Sequence, residues 1–285
     1  MTLSSSSLAC PGFDLRLTLN CGQVFHWQPR GAGWVGMIGD EPCHLEQQGE
    51  RLFVTPGMEE KAVHYLALDH DMRRILDSLP RDDAMQAAAT STRGLRIIRQ
   101  PFWECVATFI TSAQKAVPHI TAISHTLRQR YGRAIQFGNE TLHAYPTPDA
   151  LAVLEERDLR ACALGYRAKN LLKTARMIAA GEIDLNGIAS LPTDAALIEL
   201  TRLAGVGEKV ANCALLFAYE RLDAVPIDVW IARILRETYR KRRSSPAQLK
   251  QFAARHFGPY AGYAQQMLFH HARSEKAAAS SARKR

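Results

Sequence analysis

"LAGVGEKVANC", residues 203–213, decides how this chain is read, because two glycines one residue apart lead directly into a helix that opens with a lysine. In "TDAALIELTRLAGVGEKVANCALLFAY" one apolar helical period stops at Leu203 and another starts near Glu208. Gly205 and Gly207 allow backbone angles that a side chain resists, so the turn is tight and able to approach a ligand closely. Its amides, with those of Val206 and the following helix start, form an anion site suited to a phosphate. A plain capping turn is the alternative, and for the two glycines alone the commoner one. Lys209 tips the balance. It falls in the first turn of its helix, where the dipole opposes another positive charge, so an amine able to act as a nucleophile is expected there. Nineteen residues on, in "AVPIDVW", Asp228 follows Pro226 and precedes a helical pattern over 229–240. It is an N-cap in either reading, and also a fixed anion able to steady a cationic sugar.

Outward from this hairpin the chain falls into two parts. Residues 12–56 alternate like short antiparallel strands ("FDLRLTL", "QVFHWQ", "WVGMIG", "CHLEQQ", "RLFVTP") with glycines at the turns, and residues 58–91 turn helical. Beyond Arg96 apolar residues recur at three- and four-residue spacing almost throughout, with Pro146, Pro192, Pro226 and Pro246 near helix starts. The expected fold is therefore α+β: an antiparallel sheet domain with helices over 12–98, then a mostly helical region over 99–271. Residues 1–11 and 272–285 are small, polar or charged and are expected to be disordered tails.

Composition excludes more than it selects. The chain has 285 residues, 47% of them hydrophobic, and 36 Lys and Arg against 28 Asp and Glu, a net charge of +8. That favours an anionic partner without naming one. No apolar run spans a bilayer and no secretory signal opens the chain, so an intracellular protein, without membrane attachment, is expected. The six cysteines, at 10, 21, 43, 105, 162 and 213, are never closer than 11 residues. This excludes CxxC zinc sites and a tight iron–sulfur loop, so free thiols and no structural metal are expected. Nothing such as a heptad seam points beyond a monomer.

"LAGVGEKVANC" followed by "VPIDV" resembles the helix-hairpin-helix DNA base-excision glycosylases, with Ala204 where that family commonly has proline. "LNCGQVFHW", "LGYRAKN" and "GPYAGYAQQMLF" extend the resemblance to the eukaryotic-type 8-oxoguanine DNA glycosylase/AP lyases over about residues 12–272. The resemblance implies damaged double-stranded DNA as partner, no cofactor, and base excision by Schiff-base chemistry. Lys209 would attack C1′, Asp228 would stabilise the developing charge, and β-elimination would nick the strand. A cation bridging the hairpin and a phosphate is compatible with it. The backbone carbonyl of Gly22 would accept the N7 proton that guanine lacks, Gln265 would bond the Watson–Crick edge, Phe269 would stack on the base, and Cys213 would support it beside Lys209. Tyr166 would wedge into the base stack and Arg167 would read the orphaned cytosine.

The departures lie in "TSAQKAVPHI" and after Asp228. Gln114 stands where the family fills the vacated helix with asparagine, and His119 where it has a second cytosine-reading arginine. Loss of that bidentate donor costs discrimination of the opposite base by roughly 1–3 kcal/mol at most. Trp230 replaces a histidine that contacts phosphate in the family. A glycosylase of other lesion specificity and a non-catalytic DNA-binding hairpin protein remain as alternatives at this point.

Overall fold

The computed structural model describes residues 6–113 and 115–282. The chain begins with strand β1 (Ser6–Ala9) and helix α1 (Leu15–Asn20), followed by β2 (Gln28–Arg30), β3 (Gly33–Ile38), β4 (Glu41–Gln48) and β5 (Arg51–Val54). These strands form one antiparallel sheet in the order β1-β5-β4-β3-β2. Helices α2 (Glu59–Tyr65), α3 (Met72–Ser78) and α4 (Asp83–Ser91) complete the first part.

The second part contains α5 (Phe102–Ser112), α6 (Val117–Tyr131), a separate hairpin of β6 (Ala134–Phe137) and β7 (Glu140–His143), then α7 (Pro148–Ala152), α8 (Glu156–Arg160) and α9 (Arg167–Ala179). It ends with α10 (Thr193–Thr201), α11 (Glu208–Phe217), α12 (Val229–Glu237), α13 (Pro246–Phe257) and α14 (Ala261–Ala282). The architecture is the expected α+β arrangement of sheet and helical region.

Four local expectations are corrected. "FDLRLTL" is not a strand: Asp14 caps a helix by accepting from the Leu17 amide at 2.7 Å, and the buried residues are Leu15, Thr18 and Leu19. Their spacing of three and four is helical, and the alternation of leucines at 15, 17 and 19 concealed it. Residues 6–9 are not a tail, because their backbone pairs with the free edge of β5. Residues 272–282 are not a tail either. They prolong α14, and "ARSEKAAA" is rich in residues that favour helix. The β6–β7 hairpin interrupts the otherwise helical second part.

Two apolar cores, one under the sheet and a larger one among the helices, meet along the segment that joins the two parts. Gln23 fastens that joint. Its Nε2 donates to the carbonyls of Arg96 (2.7 Å) and Thr18 (3.1 Å), and its Oε1 accepts from the Ile98 amide (2.8 Å). Tyr263 of α14 adds a bond from the Ile97 amide to its hydroxyl at 3.2 Å. A buried cluster ties the parts again: Glu104 of α5 pairs with Arg128 of α6 and lies 3.2 Å from the His26 imidazole. The six cysteines are buried and unpaired.

Burial holds the imidazoles of His26, His70, His125 and His270 below the ordinary histidine pKa, and neighbouring arginines push each the same way. The unfolded chain therefore takes up protons near pH 6.5 that the folded chain refuses, so the stability these groups contribute is full above that pH and lost as pH falls through it. A melting temperature that falls between about pH 7.5 and about pH 5.5 is the expected result. A flat profile over that interval would contradict it.

Candidate active site

The hairpin between α10 and α11 is built as the two glycines predict. Gly205 has φ +79°, and a Cβ there would fall 2.7 Å from the Cβ of Asn170 on α9, so both backbone angle and packing require glycine. Thr174 of α9 donates to the Ala204 carbonyl at 2.8 Å, and the Val206 amide donates to Leu203 at 3.1 Å while the Val206 side chain is buried beneath the turn. Gly207 is the N-cap of α11 and offers no capping side chain, which leaves the first amides of the helix for an external anion.

Lys209 therefore projects from the second position of α11. It is half-buried, with Nζ 5.1 Å from the centroid of the Phe109 ring. Cys213 follows one turn later, fully buried. Burial raises its thiol pKa, while the charge and hydrogen bond of Lys209 act in the opposite sense, so amine and thiol are neighbours. Asp228 caps α12: its Oδ1 accepts from the amides of Trp230 (3.0 Å) and Ile231 (2.9 Å), and neither bond uses Oδ2. Lys209 and Asp228 line a single cavity of about 900 Å³. A hollow of about 1060 Å³ elsewhere, between Ile38, Phe102 and Leu185, shares none of its wall residues.

The opposite wall comes from the far ends of the sequence. Gly22 has φ +90° and is held from both sides, through Gln23 and through Gln266 of α14, whose Nε2 donates to the Cys21 carbonyl at 3.0 Å. A Cβ on Gly22 would lie 3.3 Å from the Phe269 ring, which also lines the cavity. Gln265 sits one turn before Phe269, buried, and is set back from the wall. Its Oε1 has no hydrogen-bond partner. Sequence reading did not find Gln23, Gln266, Phe109 or Arg273. The first two lie in quoted motifs and act through backbone carbonyls; Arg273 lay in the supposed tail, and its spacing of four from Phe269 was the available signal.

Around the mouth the predicted DNA contacts are less uniformly disposed. Tyr166 is 55% exposed at the start of α9, as a wedge must be. Arg167 is buried instead, stacked 4.3 Å from the Tyr166 ring and donating through Nε to the Ala113 carbonyl at 2.7 Å. His119 is exposed in the first turn of α6. Gln114 lies outside the described residues. Among the described residues no group of three or more His, Cys, Asp or Glu side chains is placed to hold a metal, and no helix is long and apolar enough to cross a membrane.

Residues 107–259 match the family model of HhH-GPD superfamily base excision DNA repair proteins, and residues 7–106 match the 8-oxoguanine DNA glycosylase N-terminal domain. The chain belongs to the HhH-GPD superfamily, in its 8-oxoguanine DNA glycosylase branch. Within this superfamily it is 32% identical to a probable N-glycosylase/DNA lyase of Methanothermobacter thermautotrophicus, over 92% of this chain and 94% of that protein. The solved structure of MBOgg1 with a low-affinity DNA ligand superposes with a TM-score of 0.91 at 28% identity, covering 97% of this chain and all of that one. The Clostridium acetobutylicum 8-oxoguanine glycosylase/lyase, bound to duplex DNA with cytosine opposite 8-oxoguanine, gives 0.89 at 28% identity, covering 97% and 100% of the two chains. The glycosylase fold thus extends over the sheet domain as well as the hairpin.

Proposed function

We propose that this chain is a bifunctional DNA glycosylase/AP lyase that excises 8-oxoguanine from duplex DNA and nicks the abasic site by β-elimination. One observation carries the reading. Lys209 and Asp228, at the N-termini of two different helices, open into one cavity whose opposite wall holds Gly22 and Phe269. The Val206 amide is taken by the Leu203 carbonyl, so the amides of Gly205, Gly207 and the first turn of α11 grip a phosphate of the damaged strand, where a cation can share the contact, and the lesion swings out of the stack into the cavity.

There the Gly22 carbonyl accepts N7–H of the oxidised base and faces a bare acceptor on normal guanine. The unpartnered Gln265 Oε1 accepts from N–H donors of the Watson–Crick edge. Phe269 covers one ring face and the Lys209/Cys213 pair the other. The Lys209 amine bonds to C1′ while the base departs, and the Asp228 carboxylate stabilises the cationic sugar. The resulting imine acidifies C2′, and the 3′ phosphate leaves. The nucleophile belongs to the chain, so no cofactor enters the reaction.

Tyr166 fills space beside the extruded base, with Gln114 assigned to the same gap. Arg167 reaches the orphaned cytosine by exchanging the Ala113 carbonyl for the base's acceptors, and His119 is assigned to the same base. The protein acts as a monomer, inside the cell, on its DNA. Borohydride trapping tests the reading: wild-type protein is expected to form a covalent adduct with a duplex carrying 8-oxoguanine opposite cytosine and none with undamaged duplex. No adduct, or an adduct with abasic DNA alone, refutes it.

A further inference from the structure

Gln265, Phe269 and Arg273 follow one another along α14 at four-residue spacing, which places them on one face. Arg273 lines the same cavity as Lys209 and Asp228. Its Nη1 lies 2.9 Å from the point that a Cβ on Gly22 would occupy, and its guanidinium carbon lies 5.2 Å from the Phe269 ring centroid. The cation is left without its usual compensation. Nη1 is buried with no hydrogen-bond partner, and Arg273 joins none of the ion pairs among the described residues. Burial holds its guanidinium pKa below the ordinary arginine value, and the Asp228 carboxylate acts in the opposite sense. A buried, idle guanidinium donor is costly unless an acceptor arrives to meet it.

That acceptor has to sit beside Gly22. On the function proposed above, on which this inference rests, the Gly22 carbonyl takes N7–H. The oxygens flanking N7–H are O6, which guanine shares, and O8, which only the oxidised base carries. The reaction separates them. As the Lys209 nitrogen bonds to C1′, the C1′–N9 bond breaks and its electron pair leaves on the base, while the nitrogen now bonded to carbon becomes positive until it loses a proton. The negative charge on the departing base spreads from N9 through C8 onto O8. A guanidinium at O8 therefore bonds more strongly in the transition state than in the bound lesion, the condition for catalysis.

We propose that Arg273 is a catalytic residue that donates to O8 of the flipped base, selecting the oxidised purine and stabilising it as a leaving anion. The test compares Arg273→Met and Arg273→Lys with the wild-type chain in single-turnover release of 8-oxoguanine and of 8-aminoguanine, in which a donor replaces O8 and N7 carries no hydrogen. Cleavage of a preformed abasic site, which has no base for Arg273 to touch, is measured alongside. Arg273→Met is expected to slow 8-oxoguanine release by roughly 10²-fold. It should also narrow the preference over 8-aminoguanine, whose bare N7 the Gly22 carbonyl still disfavours, and leave abasic cleavage at the wild-type rate, while Arg273→Lys recovers part of the loss. Unchanged 8-oxoguanine release, equal losses on both bases, or a parallel fall in abasic cleavage would each overturn the proposal. A wild-type chain that releases no 8-oxoguanine would instead remove the function on which it rests.

Discussion

Lys209→Gln is expected to abolish borohydride capture and to slow base release by at least roughly 10³-fold, the scale seen when an enzyme loses its nucleophile. Stability should move the other way. The lysine sits at the second position of α11, where its charge opposes the helix dipole, so replacing it with a neutral side chain is worth roughly 0.3–1 kcal/mol in favour of folding. The apolar part of the side chain lies near the Phe109 ring, and glutamine retains part of that contact. A melting temperature equal to or above wild type, together with lost chemistry and retained binding of damaged duplex, distinguishes a catalytic lysine from a structural one. Loss of stability in step with activity would assign Lys209 to the core, and undiminished base release would remove it from the mechanism.

Asp228→Asn separates the two roles that a carboxylate at a helix start can play. Asparagine caps a helix about as well as aspartate, so the bonds from the Trp230 and Ile231 amides survive, and only the loss of an anion near the dipole costs stability, about 0.3–1 kcal/mol. The chemistry loses the carboxylate that faces a cationic sugar in this cavity, and base release is expected to fall by roughly 10²–10³-fold. Measured beside Asp228→Ala, which removes cap and charge together, the asparagine variant should be nearly as inactive and clearly more stable. Near wild-type activity for Asp228→Asn would reduce the residue to its capping role.

Both experiments rest on features legible in the sequence because they are local. A positive φ at Gly205, an uncapped helix start at Gly207, the lysine in the first turn and the aspartate N-cap each depend on residues within about one helical turn of one another. The same locality explains the errors. Alternating leucines at 15, 17 and 19 satisfy a strand pattern, yet Asp14 and the burial of Leu15, Thr18 and Leu19 make a helix. Residues 6–9 carry no strong strand signal and become a strand because β5 offers an unpaired edge, which the segment's own residues do not reveal. Arg167 was read as the contact to the orphaned cytosine, and its bond to the Ala113 carbonyl, across 54 residues, was not legible.

By itself, then, the order of residues determined the two-part α+β organisation, the glycine turn with its uncapped helix start, and the placing of a lysine and an aspartate at two helix N-termini. Tertiary structure alone decided what those groups face. Gly22, Phe109, Lys209, Asp228, Phe269 and Arg273 meet at one cavity although they come from five separate stretches of the chain. Turns and caps are set by short-range backbone geometry, whereas a shared wall is set by how apolar faces pack over long loops, and no spacing along the chain encodes that.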